Sequence, residues 1–382
     1  MIEVMLEHEK KYVTIRFPCT EAELATKLND FDFGFDIHNM WVHAFIEPKE
    51  FAPMEQQAHD VDELNYLAKR MDSFIDAERR RFFAAITQEN IYQIPDLINL
   101  TFNLNRYTVL QDLSSAHAIG FTYALDEAGC LPAESITDPK YGTIGKQLLE
   151  SGTGILTKYG VLFIHADVRP EQVYDGQVFP AYDYHGGSSA EAVISYGGKE
   201  ETLYLPDEQT AIQKAVRRLG AADIHDCEVE ISAWGTENEQ WQQMLQCVVD
   251  QESLYAANWL IKQISEAYPD IETVVAAAEY FKVSSANNLA VLANADNVLG
   301  FRKELASPQD VGEYFAKIEE DYSLHSDLEP FFNYEAFGEW LIEDREGAFV
   351  NGGFLYYRGA DSMHEIEDQL EPETINLEMG GM

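Results

Sequence analysis

The sequence predicts an α+β chain, elongated and multi-domain, made of two homologous copies. Each copy is expected to hold a small strand-helix-strand unit, a helical middle unit and a C-terminal α/β unit containing a hairpin. Words recurring at a nearly constant offset, helical apolar spacing in the middle of each half, and short β-rich runs bounded by turn residues lead to this reading.

The recurrence is the strongest of these. Tyr141-Gly-Thr-Ile-Gly145, Leu148, Leu149, Glu150, Gly154 and Gly160-Val-Leu-Phe-Ile164 return as Tyr334-Glu-Ala-Phe-Gly338, Leu341, Ile342, Glu343, Gly347 and Gly353-Phe-Leu-Tyr-Tyr357, every pair offset by 193. Asn65-Tyr-Leu-Ala-Lys69 answers to Asn258-Trp-Leu-Ile-Lys262 at the same offset of 193, and Ile119-Gly120 to Val311-Gly312 at 192. Nearer the N-terminus, Val13–Phe17 before Pro18 matches Thr202–Leu205 before Pro206, and Asp36-Ile-His38 returns as Asp223-Ile-His225. The pieces are expected at 1–55, 56–110 and 111–176, then a linker at 177–198 around His185-Gly-Gly-Ser-Ser189, then 199–250, 251–302 and 303–360, and an acidic tail at 361–382.

Within each copy a strand leads to Thr20 or Asp207, both good helix N-caps, and Glu23 completes a capping box with Thr20. Leu64, Leu67, Ala68 and Met71 share one helical face, as do Ala257, Leu260, Ile261 and Ile264. Further helices are expected near Ala118–Asp126 and Val311–Asp321, followed by a short helix at each Tyr-Gly word and two β-rich runs joined at Tyr159-Gly160 or Asn351-Gly352. Gly145 and Gly338 are read as close-packing positions, Gly160 and Gly352 as sites of positive φ.

Composition separates the function classes. The 382 residues are 46% hydrophobic, which provides for ordered cores, yet 67 acids against 26 bases leave a formal charge of -41 that works against compactness. Residues 1–184 hold 29 acids and 15 bases, residues 185–382 hold 38 and 11. No apolar run approaches the roughly 18 residues of a membrane span, and acids precede the first apolar run, so neither a span nor a leader is expected. Cys19, Cys130, Cys227 and Cys247 show no zinc spacing; they are read as buried thiols of a cytoplasmic protein. Neither a Walker-type nor a dinucleotide-binding glycine word is present, and no basic run interleaves with aromatics, so no cofactor and no direct nucleic-acid contact is expected.

Asp30, Asp32, Asp36 and His38 offer metal-ligating atoms among Phe31, Phe33 and Phe35, but only Asp36 and His38 recur, so no metal site is assigned. His185 beside Ser188 and Ser189 lacks an orienting third group and is read as linker. What remains unusual is the acids themselves, which sit on folded elements that would hold their charges at set spacings.

At Tyr141 and Tyr334 the sequence resembles the ArdA antirestriction proteins, acidic DNA mimics directed against type I restriction-modification enzymes. The resemblance rests on Val61-Asp-Glu-Leu-Asn65, Tyr123–Glu127, Ala128-Gly-Cys-Leu-Pro132 and Tyr141-Gly-Thr-Ile-Gly-Lys146 in copy one. In copy two it rests on Asp310-Val-Gly-Glu-Tyr-Phe315 and Asn333-Tyr-Glu-Ala-Phe-Gly338. The motif positions are Tyr141, Gly145, Gly160, Tyr334, Phe337, Gly338 and Gly353. Ile144 stands where the family pattern has an aromatic, and Lys146 brings a positive charge, so copy one is expected to be the poorer mimic. The resemblance implies a non-enzymatic inhibitor that enters the DNA groove of a type I restriction-modification enzyme, and a homodimer or a pseudo-dimer within one chain. The phosphate-mimicking carboxylates are then sought among Asp126, Glu127, Glu150, Glu313, Glu319, Glu320, Asp321, Glu335, Glu339, Glu343 and Asp344.

Rival readings are an acidic protein that shields a basic nucleic-acid-binding partner, a charge adapted to salt, and an enzyme built on His185, Asp36 and Asp223. The expected elongation is measurable: small-angle scattering should give a radius of gyration well above the roughly 21 Å of a compact chain of this length.

Overall fold

The computed structural model describes residues 1–29, 39–182, 186–295, 297–318, 325, 327–358 and 364–372. The chain divides into two compact units, Met1–Tyr184 and His185–Met382. Each is a mixed α+β assembly.

The N-terminal unit opens with a hairpin of β1 (Ile2–His8) and β2 (Lys11–Phe17), then α1 (Glu21–Leu28), then β3 (Asn39–Glu47) and β4 (Gln57–Asp60), in sheet order β2-β1-β3-β4. Side chains of β1 alternate between buried and half-exposed, the period-2 pattern of a sheet with one face on the core. The Thr20–Glu23 capping box forms as expected. Three helices follow, α2 (Val61–Asp72), α3 (Asp76–Glu89) and α4 (Ile94–Thr101). The unit ends in β5 (Tyr107–Leu110), α5 (Ala116–Ala128), α6 (Lys140–Ser151), β6 (Ile155–Thr157) and β7 (Gly160–Ile164), with sheet order β5-β7-β6.

The C-terminal unit runs through the same order. Hairpin β8 (Ala190–Tyr196) and β9 (Lys199–Leu205), α7 (Gln209–Leu219) and β10 (Glu228–Ala233) form a sheet of order β10-β8-β9. After α8 (Glu239–Gln251) come α9 (Leu254–Ala267), α10 (Ile271–Phe281) and α11 (Ala286–Asn294). The closing elements are β11 (Leu299–Arg302), α12 (Pro308–Lys317), α13 (Tyr334–Asp344), β12 (Ala348–Val350) and β13 (Gly353–Tyr357), in sheet order β11-β13-β12, with a last turn of helix, α14 (His364–Glu367).

Four sequence expectations are corrected. The strand-helix-strand unit is a hairpin followed by a helix and a strand, because β1 and β8 precede the strands that the pattern exposed. The linker expected at 177–198 contains regular structure: β8 occupies Ala190–Tyr196, and Gly197-Gly198 form its turn, both at positive φ, while residues 183–185 lie outside the described residues. The helical pieces 56–110 and 251–302 give up β5 and β11, which pair with β7 and β13 of the C-terminal pieces. In the acidic tail, residues 364–372 dock: Ile366 is buried, and the buried Asn288 amide donates to the Glu371 carbonyl and accepts its N–H.

Segment 171–182 is likewise anchored. Asn99 and Asn103 on and beside α4 accept the N–H groups of Tyr174 and Glu171 and donate to the carbonyls of the same residues, while the Tyr66 hydroxyl donates to the Pro180 carbonyl. Asn65 explains its own recurrence in the sequence. Its side chain brackets the backbone of Cys19, accepting the N–H at 3.0 Å and donating to the carbonyl at 2.9 Å; Asn258 brackets Asp207 in the same way, both at 2.8 Å. Each bracketed residue follows a strand and a proline whose peptide bond is cis.

One edge differs between the units. β3 is covered by β4, whereas β10 is covered by α8, whose Gln242 and Gln246 side chains accept the Ala233 and Ile231 N–H groups and donate to the Ala233 and Val229 carbonyls. Glutamines at that spacing finish the sheet as a strand would.

The Tyr-Gly words are helix crossings. A Cβ on Gly120 would collide with the Tyr141 carbonyl, and one on Gly145 with the Ala116 carbonyl; Gly312 and Gly338 stand identically against Tyr334 and Pro308. At these points α5 and α6, and α12 and α13, touch backbone to backbone. We therefore expect Gly338→Ala to lower the unfolding free energy by about 2–3 kcal/mol, the range of overpacking, while Ala336→Gly on the exposed side of α13 costs about 1 kcal/mol. Urea denaturation of both variants measures the difference.

A second expectation concerns pH. His59 is buried, with Nε2 2.7 Å from the Met54 carbonyl, and burial pushes its imidazole below the ordinary 6.5 despite that bond. A group lowered on folding contributes its full stability above the unfolded value, and loses it as pH falls from 6.5 through the folded one. Amide exchange at residues 54–60, corrected for intrinsic rate, should quicken between pH 7.5 and 5.5 in the wild type and respond less in His59→Gln.

Candidate functional site

The crossing of α12 and α13 decides which side chains of α13 face water. Gly338 and Leu341 are buried against α12, so the opposite positions point outward. Glu335, Glu339 and Glu343 occupy them at intervals of four and are exposed, as is Asp344. None of the four carboxylates has a partner among the described residues. Like charges at this spacing destabilise a helix by about 0.2–0.5 kcal/mol per pair, so local helix stability gives no reason for the arrangement. With a 1.5 Å rise per residue, the four charges lie within about 13.5 Å of axis, a linear density approaching the one charge per about 3.4 Å of a single B-DNA strand.

Around this row stand the neighbours that set its field. Glu313 on α12 accepts from Gln309 at 3.1 Å and pairs with Lys317 at 3.2 Å; the Gln309 bond, then the lysine, hold its carboxyl below the usual value. Lys317 also lies 4.5 Å over the Tyr334 ring, so the base on this face is engaged by the motif tyrosine as well as by Glu313. The motif aromatic Phe337 stacks on Trp340 at 5.8 Å, and Trp340 and Phe331 are exposed beside the acids. Trp340 and Phe331 were not singled out in the sequence; an aromatic two residues from a motif glycine was the available signal.

The corresponding helix of the N-terminal unit carries no such row. At the offset of 193, Glu335, Glu339, Glu343 and Asp344 are replaced by Gly142, Lys146, Glu150 and Ser151, one acid and one base. Glu150 is exposed and without a partner among the described residues. Asp126 is corrected as a free surface carboxylate: it is ion-paired with Arg81 and accepts from the buried Thr108 hydroxyl at 2.5 Å. The Glu127 side chain and Glu319, Glu320 and Asp321 lie outside the described residues. The structure thus gathers five of the eleven candidates, Glu313 and the four acids of α13, into one neighbourhood.

Of the enzyme candidates His185, Asp36 and Asp223, only Asp223 lies among the described residues. Asp30, Asp32, Asp36, His38 and His185 lie outside the described residues. Asp223 caps a turn of 3-10 helix by accepting the His225 N–H at 3.0 Å, with the His225 ring 3.9 Å away and both side chains largely exposed. The cysteines are not buried as expected: Cys130 and Cys247 are exposed, Cys19 and Cys227 half-buried. Cys130 follows the α5 C-cap glycine and Cys247 lies on the outer side of α8, where the core does not reach. Burial, then the Asp226 and Asp223 charges, push the Cys227 thiol up, away from a nucleophile's range.

Among the described residues no group of three His, Cys, Asp or Glu side chains could hold a metal ion, and no helix is long and apolar enough to cross a membrane. No family model and no curated protein matches the chain.

Proposed function

We propose that the protein is a cytoplasmic, non-enzymatic antirestriction DNA mimic, an ArdA-like chain that arose by tandem duplication and inhibits type I restriction-modification enzymes by occupying their DNA groove. The observation that carries this reading is the unpaired row Glu335, Glu339, Glu343 and Asp344, held rigidly by the glycine crossing at a charge density close to that of a DNA strand. Duplication is supported by the shared element order, the common Asn65 and Asn258 brackets and the matching glycine contacts. The C-terminal unit is the inhibitory one, because its closing helix carries the row and the N-terminal unit's does not.

The groove of such an enzyme is lined by Lys and Arg that normally neutralise phosphates, so the carboxylates would take the phosphates' places and no bond would be made or broken. Inhibition should weaken as salt rises and be relieved by competing DNA. The triple variant Glu335→Lys, Glu339→Lys, Glu343→Lys should need at least about tenfold more protein for half-inhibition of cleavage of unmodified DNA, since reversed charges meet like charges in the groove. All three positions are exposed, so the fold, checked by circular dichroism, should persist. If the wild type slows no type I enzyme, or the variant inhibits equally well, the proposal fails. Equal binding of the wild type to an unrelated basic DNA-binding protein would instead mark it as a general shield.

A further inference from the structure

The outer face of the first sheet carries a carboxylate between two exposed aromatic side chains. Strands β1, β2 and β3 turn alternate residues away from the core, so Met5, Glu7, Tyr12, Thr14 and Trp41 share this face. Glu7 stands directly opposite Tyr12 on β2 and directly opposite Trp41 on β3. Opposed residues place their Cβ atoms about 4.5–5.5 Å apart, so the two aromatic side chains flank the same carboxylate. Tyr12 is 49% exposed and Trp41 43%.

A bulge aims His43 at the same point. Met5 pairs with Ala44 and Leu6 with Val42, which leaves His43 as the extra residue of β3. Its Nδ1 lies 2.9 Å from Glu7 Oε2, and its ring meets the Tyr12 ring edge-on with centroids 4.9 Å apart. The other Glu7 oxygen has no partner among the described residues, and the Trp41 ring makes no ring contact or hydrogen bond among them. The nearby basic side chains are directed elsewhere. Arg16 is bonded to Glu3 at 2.9 Å, and Lys11, next to Tyr12 in the strand, belongs to the opposite face.

Two other places in the chain hold a basic side chain between a carboxylate and a ring. Lys317 is 3.2 Å from Glu313 and 4.5 Å over the Tyr334 ring, and Lys158, in the turn between β6 and β7, reaches Glu50 with its ammonium 5.0 Å from the Tyr159 ring centroid. Beside Glu7 no such cation is present among the described residues. Exposed rings on a sheet also stack nucleobases, but residues 1–184 hold 29 acids to 15 bases and a carboxylate stands between these rings, so a phosphate-bearing ligand is repelled. We propose that this face binds an arginine side chain of a partner protein, with the guanidinium laid on the Trp41 ring and its edge donating to Glu7 Oε1. A planar guanidinium stacks and donates at once, whereas an ammonium acts as a point charge. The inference does not rest on the inhibitory reading, since α13 takes no part in it.

The test is a titration of the full-length protein with N-acetyl-arginine amide, followed by the chemical shifts of the Trp41 indole N–H and of the Glu7, Tyr12 and His43 amides. Saturable shifts are expected at all four. N-acetyl-citrulline amide keeps the shape and loses the charge, and N-acetyl-lysine amide keeps the charge and loses the plane; each should bind at least about threefold more weakly. Glu7→Gln and Trp41→Leu, both on the outer face, should each weaken the arginine compound at least about fivefold, read from the remaining amides. Should either variant disturb the sheet, the three compounds on the wild type still decide. Shifts that never saturate, equal affinity for the arginine compound and either replacement, or unchanged arginine affinity in a folded variant would overturn the proposal.

Discussion

Backbone contact between two helices is the constraint on which the C-terminal layer of each unit depends. A Cβ at Gly312 or Gly338 would enter the carbonyl of the partner helix, and the same holds at Gly120 and Gly145, so at these points the pairs α12–α13 and α5–α6 can approach only as glycines. Contact at that range leaves little freedom in rotation about either helix axis. The buried face of α13 is then set by Gly338 and Leu341, and the outer face follows from the 3.6-residue period. The acidic row is a consequence: it faces water because the glycine face cannot.

Side-chain amides hold much of the remaining chain. Asn65, Asn99, Asn103, Asn258 and Asn288 each bracket a backbone segment that belongs to no sheet, accepting an N–H and donating to a carbonyl. Gln242 and Gln246 do the same for the edge of β10. A carboxamide presents donor and acceptor side by side and is uncharged, so it satisfies a peptide group without adding to the excess of negative charge. In a chain of formal charge -41, anchoring by neutral groups avoids further self-repulsion.

The units share one architecture and divide its chemistry differently. At the last hairpin the N-terminal unit fills its junction with Lys158 and Tyr159, and on α6 it mixes Lys146 with Glu150. The C-terminal unit has Asn351-Gly352 at that turn and lines α13 with acids. The imbalance of 38 acids to 11 bases in residues 185–382 is therefore placed in part on α13, not only in the tail. Glu313, Lys317 and Tyr334 temper the row at one end, where the lysine is shared between a carboxylate and a ring.

The sequence by itself determined the α+β class, the repeat of the Tyr-Gly words, the helices from Val61 onward and the Asn-Gly turn. Each of these is local: a capping box, a 3.6-residue apolar spacing or a two-residue turn is written within a few consecutive residues. The acids of α13 were legible for the same reason, since intervals of four on a helix place them on one face. Tertiary structure alone decided that Asp126 is consumed by Arg81 and Thr108, that β5 and β11 belong to the last sheet, and that residues 364–372 dock. Such pairings join positions far apart in the chain, and nothing in the local pattern of either partner names the other.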